Sequence, residues 1–259
     1  MKPSNTTRTH HKSKAFQTML KTECKLSIRG MDMVIFALCL PALILVLLGI
    51  IYGNKPAYDG SSYTFLEQSF GALCTISICA GGVMGLPLLV SDYRHKKILK
   101  RFQVTPASPL LILAVHVAIY ALYAILSLIS LTLIGVLFFG CRFPGSLPGF
   151  LVSYLLVMLS MFSIGIMVGG LAPDLKTASI LASVLYFPML IFSGATLPYE
   201  VMPQPLQKAV SLLPLTQGIK LLKATSLGLP MTNILPPVLI MLLLTAVCIT
   251  LSLKFFRWE

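Results

Sequence analysis

The chain has 259 residues, 56% of them apolar and only 11% charged, with a mean hydropathy of +0.88. Water-soluble domains carry about 25% charged residues, so this composition excludes a soluble globule and places the chain in lipid. The net charge of +12 does not indicate a nucleic-acid partner, because the basic residues gather in the amino-terminal tail and in short loops. There they act as orientation signals and as contacts with anionic membrane lipid.

Residues 1–15 are polar and basic and are predicted to be a disordered tail. Within it, His10 and His11 lack further ligands nearby and read as solvated residues, not a metal site. Residues 16–30 are predicted to form an amphipathic interfacial helix. Phe16, Met19, Leu20 and Cys24 fall on one face, while Lys21, Glu23, Lys25 and Arg29 lie mostly off it. A first span follows at 33–51, with Pro41 as its kink. It is too long for a signal core and has no small-x-small cleavage site after it. Beyond a short loop with Lys55 and Asp59, the second span covers 65–90 and is rich in small residues. Its Gly81-x-x-x-Gly85 pair permits close helix approach, and packing against a neighbouring span of the same chain is favoured over a dimer seam.

The stretch 91–107 reads S-D-Y-R-H-K-K-I-L-K-R-F-Q-V-T-P-A and carries Arg94, Lys96, Lys97, Lys100 and Arg101. It lies between two long runs without Asp, Glu, Lys or Arg, 68–91 and 102–141, as a water-facing loop between spans does. Ile98, Leu99 and Phe102 share one face of a short helix that ends at Thr105-Pro106. Such a segment either fixes topology alone or offers an apolar ridge to another protein, and the ridge favours docking.

The third span, 110–139, would reach about 45 Å at ~1.5 Å per residue, longer than the ~30 Å hydrocarbon core. It must tilt, break or project. A loop with Arg142 leads to the fourth span at 149–170, which contains Gly165-x-x-x-Gly169. After the turn 172–177 come the fifth span, 178–195 with Pro188, and then residues 196–233. Two short amphipathic pieces there, 206–213 and 216–227, are divided by Pro214. Neither is long enough to cross a bilayer, and they are predicted to form a re-entrant helical hairpin in the outer leaflet. A sixth span, 234–255, ends in Lys254, Phe255, Arg257 and Trp258, an interfacial anchor. With the amino terminus inside, the tail contributes seven basic residues, the 91–107 loop five, the 172–177 turn one and the carboxyl terminus two. The outer loops hold the other five of the twenty. Both termini are therefore predicted to be cytoplasmic.

No catalytic constellation is present. The chain has no Gly-Lys dipeptide, hence no P-loop and no means of using ATP itself. His116 is the ionisable residue deep in a span, and it reads as a neutral histidine hydrogen-bonded between helices more readily than as a transport residue. Glu67, Asp92, Asp174 and Glu200 all lie at span ends or in loops, which disfavours an ion-coupled carrier with a midplane carboxylate. The cysteines supply no disulfide framework, since Cys39, Cys74, Cys79 and Cys248 lie in apolar runs and no C-x-x-C pair occurs.

Taken in order, these pieces resemble the permease subunits of ABC type-2 exporters. The resemblance rests on the amphipathic helix before six spans, on Leu99-Lys-Arg101-Phe102-Gln-Val104-Thr105-Pro106, on the short turn between spans four and five, and on the hairpin run. That run is matched by Ser193-Gly194, Pro198, Pro203, Leu206, Leu213-Pro214-Leu215-Thr216. The family's acidic residue and R-G pair near His95, Lys96 and Lys97 are missing, with only Asp92 at the edge.

The resemblance implies an all-α integral membrane protein of the inner membrane. It would be one permease domain over 1–259, with a six-span bundle at 33–255, and not itself an enzyme. It implies a homodimer or heterodimer of permeases, with separate cytoplasmic ATP-binding cassette subunits that bind the ATP and Mg. Those subunits would contact Arg94, Lys96, Lys97, Ile98, Leu99, Lys100, Arg101 and Phe102, together with Phe16, Met19, Leu20 and Glu23. Pro198, Pro203, Leu206, Leu213 and Pro214 would form an exit hairpin. A secondary carrier and a non-transporting membrane scaffold are the alternative readings.

Overall fold

The computed structural model describes residues 5–53, 55–58, 60–97, 109–192 and 203–255, with the side chains of the first helix described from Phe16 onward. Helix α1 covers Asn5–Gly30, so its backbone starts within the stretch expected to be a disordered tail. The first span is a π-helical segment, Val34–Cys39, running into α2, Leu40–Tyr52. The second span is α3, Phe65–Cys79, a π-helical segment, Ala80–Gly85, and α4, Leu86–His95. Four further long helices or helix pairs complete the chain: α5, Pro109–Phe139; α6, Leu147–Leu171; α7, Leu175–Phe192; and, after the short helices α8, Gln204–Val210, and α9, Pro214–Ser226, the last span α10, Leu235–Phe255. Six of these segments are long and apolar enough to cross a membrane. Among the described residues there is no sheet, only an isolated bridge between Pro56 and Thr64.

Both π segments sit just ahead of a proline, Pro41 or Pro87. A proline has no backbone N–H and its ring collides with the carbonyl one turn earlier, and a wide turn before it relieves that conflict. The expected kink at Pro41 thus takes the form of a π turn on its amino-terminal side. The third span resolves its excess length without a break, as one continuous helix.

The second span is the axis of the bundle, with 83% of its apolar stretch buried, whereas the first, fifth and sixth have only 22% buried. Its small residues explain that position. A Cβ on Gly82 would come within 2.7 Å of the Phe162 ring, and one on Gly169 within 2.9 Å of the Pro87 Cα. Gly165 sits directly against the Gly82 carbonyl. The two GxxxG stretches therefore serve packing within the chain: Gly81 and Gly85 lie against Tyr120, and Gly165 and Gly169 against the second span. Around this axis the outer spans turn apolar side chains such as Ile50, Leu137, Phe138, Val184, Leu243 and Leu253 outward. In water such a surface would be untenable, but against lipid chains it is the ordinary exterior.

Helix α9 is more deeply seated than a loop at a headgroup surface would be. Leu215, Leu221 and Leu222 are fully buried, and Gly71 of α3 approaches the backbone at Leu222 and Lys223 so closely that a Cβ would stand 2.9 Å from the Lys223 nitrogen. Pro214 opens α9 at its first turn, where its missing N–H costs nothing.

Candidate functional site

One end of the bundle, here the basic end, carries the turn at Lys96 and Lys97, the turn at 172–174, and α1. The opposite end carries the 140–146 connection and the end of α9. Residues 91–95, read above as the start of a loop, are the last turn of α4, and the chain leaves that helix at Lys96, with Lys97 in a left-handed conformation (φ 56). Ile98, Leu99, Lys100, Arg101, Phe102, Val104, Thr105 and Pro106 lie outside the described residues, as do Ser193, Gly194, Pro198 and Glu200.

Arg94 is turned inward instead of joining a solvated basic face. It is 7% exposed, and its guanidinium donates to the Gly170 carbonyl at 3.2 Å and to the Ala172 carbonyl. Those carbonyls belong to the end of α6, where a helix leaves its last acceptors unsatisfied and a cation meets the negative end of the helix dipole. The planar fork of one arginine thus ties the root of the basic loop to the turn between the fourth and fifth spans. In that turn the Asp174 carboxylate accepts the Thr177 N–H at 2.7 Å and caps α7. This bond holds its pKa below the usual carboxylate value. Lys96 keeps an exposed i,i+4 pair with Asp92 at 2.7 Å.

The other link at this end joins α1 to the bundle. Phe16, Met19, Leu20 and Cys24 pack against the core, so the face expected to serve an interface is turned onto the spans. From the same helix, Glu23 places Oε2 3.3 Å from the Tyr93 hydroxyl and 3.5 Å from His116 Nε2. The Tyr93 hydroxyl is 3.2 Å from that Nε2, and the two rings meet edge to face at 5.1 Å. His116 Nδ1 lies 3.0 Å from the Ile112 carbonyl. A carbonyl only accepts, so the proton of a neutral ring is on Nδ1 and Nε2 is an acceptor. Tyr93 then has one proton for two acceptors, Glu23 Oε2 and His116 Nε2. His116 is hydrogen-bonded between helices, as expected for a satisfied buried histidine. Tyr93 and the approach of Glu23 were not expected, because residues 70 and 23 positions apart share no local signal.

At the opposite end Glu67 organises the entry to the second span. Thr64 and Glu67 form a reciprocal capping box, and the Glu67 Oε1 also accepts the Arg142 N–H at 2.6 Å. The T-x-x-E spacing at Thr64 and Glu67 is the sequence signal that could have found this cap. Gly145 donates its N–H to the Ser226 carbonyl at 3.0 Å, tying the third-to-fourth connection to the end of α9. Of the hairpin residues, Pro203 precedes α8, Leu206 is exposed on it, and Leu213 and Pro214 form the junction with α9. Burial and the nearby Glu67 carboxylate push the Cys141 thiol up to about 11, keeping it protonated. All six cysteines are free, and among the described residues no group of three His, Cys, Asp or Glu is placed to hold a metal.

Residues 14–227 match the model of the ABC-2 type transporter. The chain belongs to that family. Nodulation protein J of Rhizobium leguminosarum bv. viciae is 34% identical over 76 residues, 29% of either chain. Nodulation protein J of Neorhizobium galegae is 34% identical over 98 residues, 38% of this chain and 35% of the relative. The inner membrane transport permease YhhJ of Escherichia coli is 31% identical over 85 residues, 33% of this chain and 23% of the relative. The chain thus covers little more than a third, or less, of each of these relatives. As a member of the family it is a non-catalytic, multi-pass permease component of an ABC-type transport system.

Proposed function

We propose that this permease is the membrane half of an exporter, driven by separate ATP-binding subunits that dock on its basic end, with that end and both termini in the cytoplasm. The observation that carries the reading is the convergence of α1, the root of the 91–107 segment and the 172–174 turn, cross-tied by Arg94 and by Glu23, Tyr93 and His116. Three elements bound to three different spans at one end form a surface that can pass a push from a partner into the bundle. A partner that grips them differently in its ATP-bound and ATP-free states biases the spans between two arrangements. The sequence supports a cytoplasmic placement, since fifteen of its twenty basic residues fall in the tail, the 91–107 and 172–177 segments and the carboxyl terminus. Helix α9, which finishes at the opposite end, would then border the exit together with α8. The permease would act as a homodimer or with a sister permease.

The test is co-purification of the chain with the ATP-binding cassette subunit, with ATPase activity measured in the reconstituted complex. Within the docking segment, the apolar ridge supplies affinity and the basic face steering. Burying a large apolar side chain is worth ~1.5–3 kcal/mol, against roughly 0–1 kcal/mol for an exposed ion pair. Phe102→Ala is therefore expected to weaken the complex more than Lys96→Ala, and Lys96→Ala to lower mainly its salt sensitivity. The reverse order, or no loss from either substitution with normal insertion, sinks the docking role of this segment.

A further inference from the structure

Where α1 meets the first span, Met31 takes a left-handed conformation (φ 61) and the chain turns from one helix into the next. Behind that turn lies a cavity of about 640 Å3, within the range that holds a drug-sized molecule. Its walls are apolar, with Phe36 from the first span, Met84 and Leu88 from the second and Ile119 from the third. Among the described residues no lysine or arginine lines it, whereas three carboxylates do: Glu23, Asp32 and Asp92. Asp92 is matched by Lys96, and Glu23 faces Tyr93 and His116. Asp32 makes no hydrogen bond or ion pair among the described residues and is exposed at the cavity's edge.

The geometry points to this cavity as a capture site for an amphipathic organic cation, its amine held at Asp32 and Glu23 and its apolar body along Phe36, Met84 and Leu88. In a bilayer an apolar molecule gains little by leaving lipid chains for an apolar wall, so selection there has to come from charge. Among the described residues its lining carries three carboxylates and neither lysine nor arginine, in a chain whose net charge is positive. A phosphate-bearing lipid meets carboxylates and is disfavoured, while a cation meets them and gains. The rings of Tyr93 and Tyr120, also on the lining, add faces that attract a cation. The inference names a cargo class for the exporter and rests on that reading for every step after capture.

The test uses the purified full-length permease alone, in nanodiscs of zwitterionic lipid, with rhodamine 6G as cationic probe and fluorescence polarisation as readout. Saturable binding is expected. Asp32→Asn should weaken it roughly tenfold, Leu88→Trp, which fills the cavity, should abolish it, and thermal unfolding should show both variants folded. The anionic probe 8-anilinonaphthalene-1-sulfonate should not compete. Absence of saturable binding, equal binding by folded Asp32→Asn and Leu88→Trp, or competition by the anionic probe each overturns the assignment. Because no ATPase subunit or nucleotide is present, failure here is separate from failure to form the ATPase complex.

Discussion

At the scale of the residue, Arg94 does the most with one side chain. Replacing it leaves the Gly170 and Ala172 carbonyls without their donor at the end of a buried helix. Hydrogen bonds to a charged group are worth ~1.5–3 kcal/mol each, so Arg94→Ala should lose on the order of 3 kcal/mol of stability. Thermal unfolding in detergent checks this. Arg94→Lys should recover part of the loss at most, since an ammonium cannot reproduce the fork. An unchanged transition for Arg94→Ala would mean that the clamp holds nothing. Glu23 and His116 offer a second case. A double-mutant cycle of Glu23→Ala and His116→Ala, read by the same unfolding, should show a coupling of about 1 kcal/mol. Strict additivity would mean that the 3.5 Å approach contributes no energy. Neither contact was legible beforehand. Arg94 stood among four other bases in one short stretch, and composition alone assigns all five to water. Only the end of α6 beside it turns the side chain inward.

At the scale of the element, the glycines separate packing from propensity. Gly165 and Gly30 both lie in helices, yet Gly165 sits on the Gly82 carbonyl while nothing lies within 4 Å of the position a Gly30 Cβ would take. Gly165→Ala should force the second and fourth spans apart, at ~1–3 kcal/mol or more, and lower the yield of folded protein in size-exclusion chromatography. Gly30→Ala should leave the elution profile unchanged or improve it, because alanine is the better helix former. Equal behaviour of the two variants would contradict the close-packed axis. The axis was half legible: small residues four apart announced a tight helix contact, and the partner span had its own pair. For α9 the pattern of Lys220 and Lys223 with leucines opposite announced a short piece dipping into the outer leaflet, but not its partner: the gap left by Gly71 draws Leu222 to full burial. A charge at Leu222 therefore tests folding, and the gating role proposed for the hairpin is better probed at Leu212, which is 82% exposed. Leu212→Glu should impair transport and leave ATPase association intact. Loss of association instead would remove α8 and α9 from the exit.

At the scale of the whole molecule, span number was readable because twenty-residue apolar runs have no other stable home, whereas contacts between distant runs have no such signature. Orientation is the property on which the exporter reading turns, and it follows from charge alone. Single cysteines at Ser4 and Gln204, in a background without native cysteines, should label from opposite sides with a membrane-impermeant maleimide. Gln204 is exposed on α8, so failure to react there cannot be put down to burial. The native background should itself be quiet at one informative position. Cys141 lies in a connection between spans, yet it is buried and its thiol stays protonated near neutral pH with a pKa of about 11. Its pKa is raised, so the thiolate gains population only as pH rises toward that value, and labelling should increase steadily between pH 7 and pH 9 while remaining slow. Labelling of Ser4→Cys and Gln204→Cys from the same side would break the six-span arrangement, and with it the placement of the ATPase subunits and the exit at opposite ends.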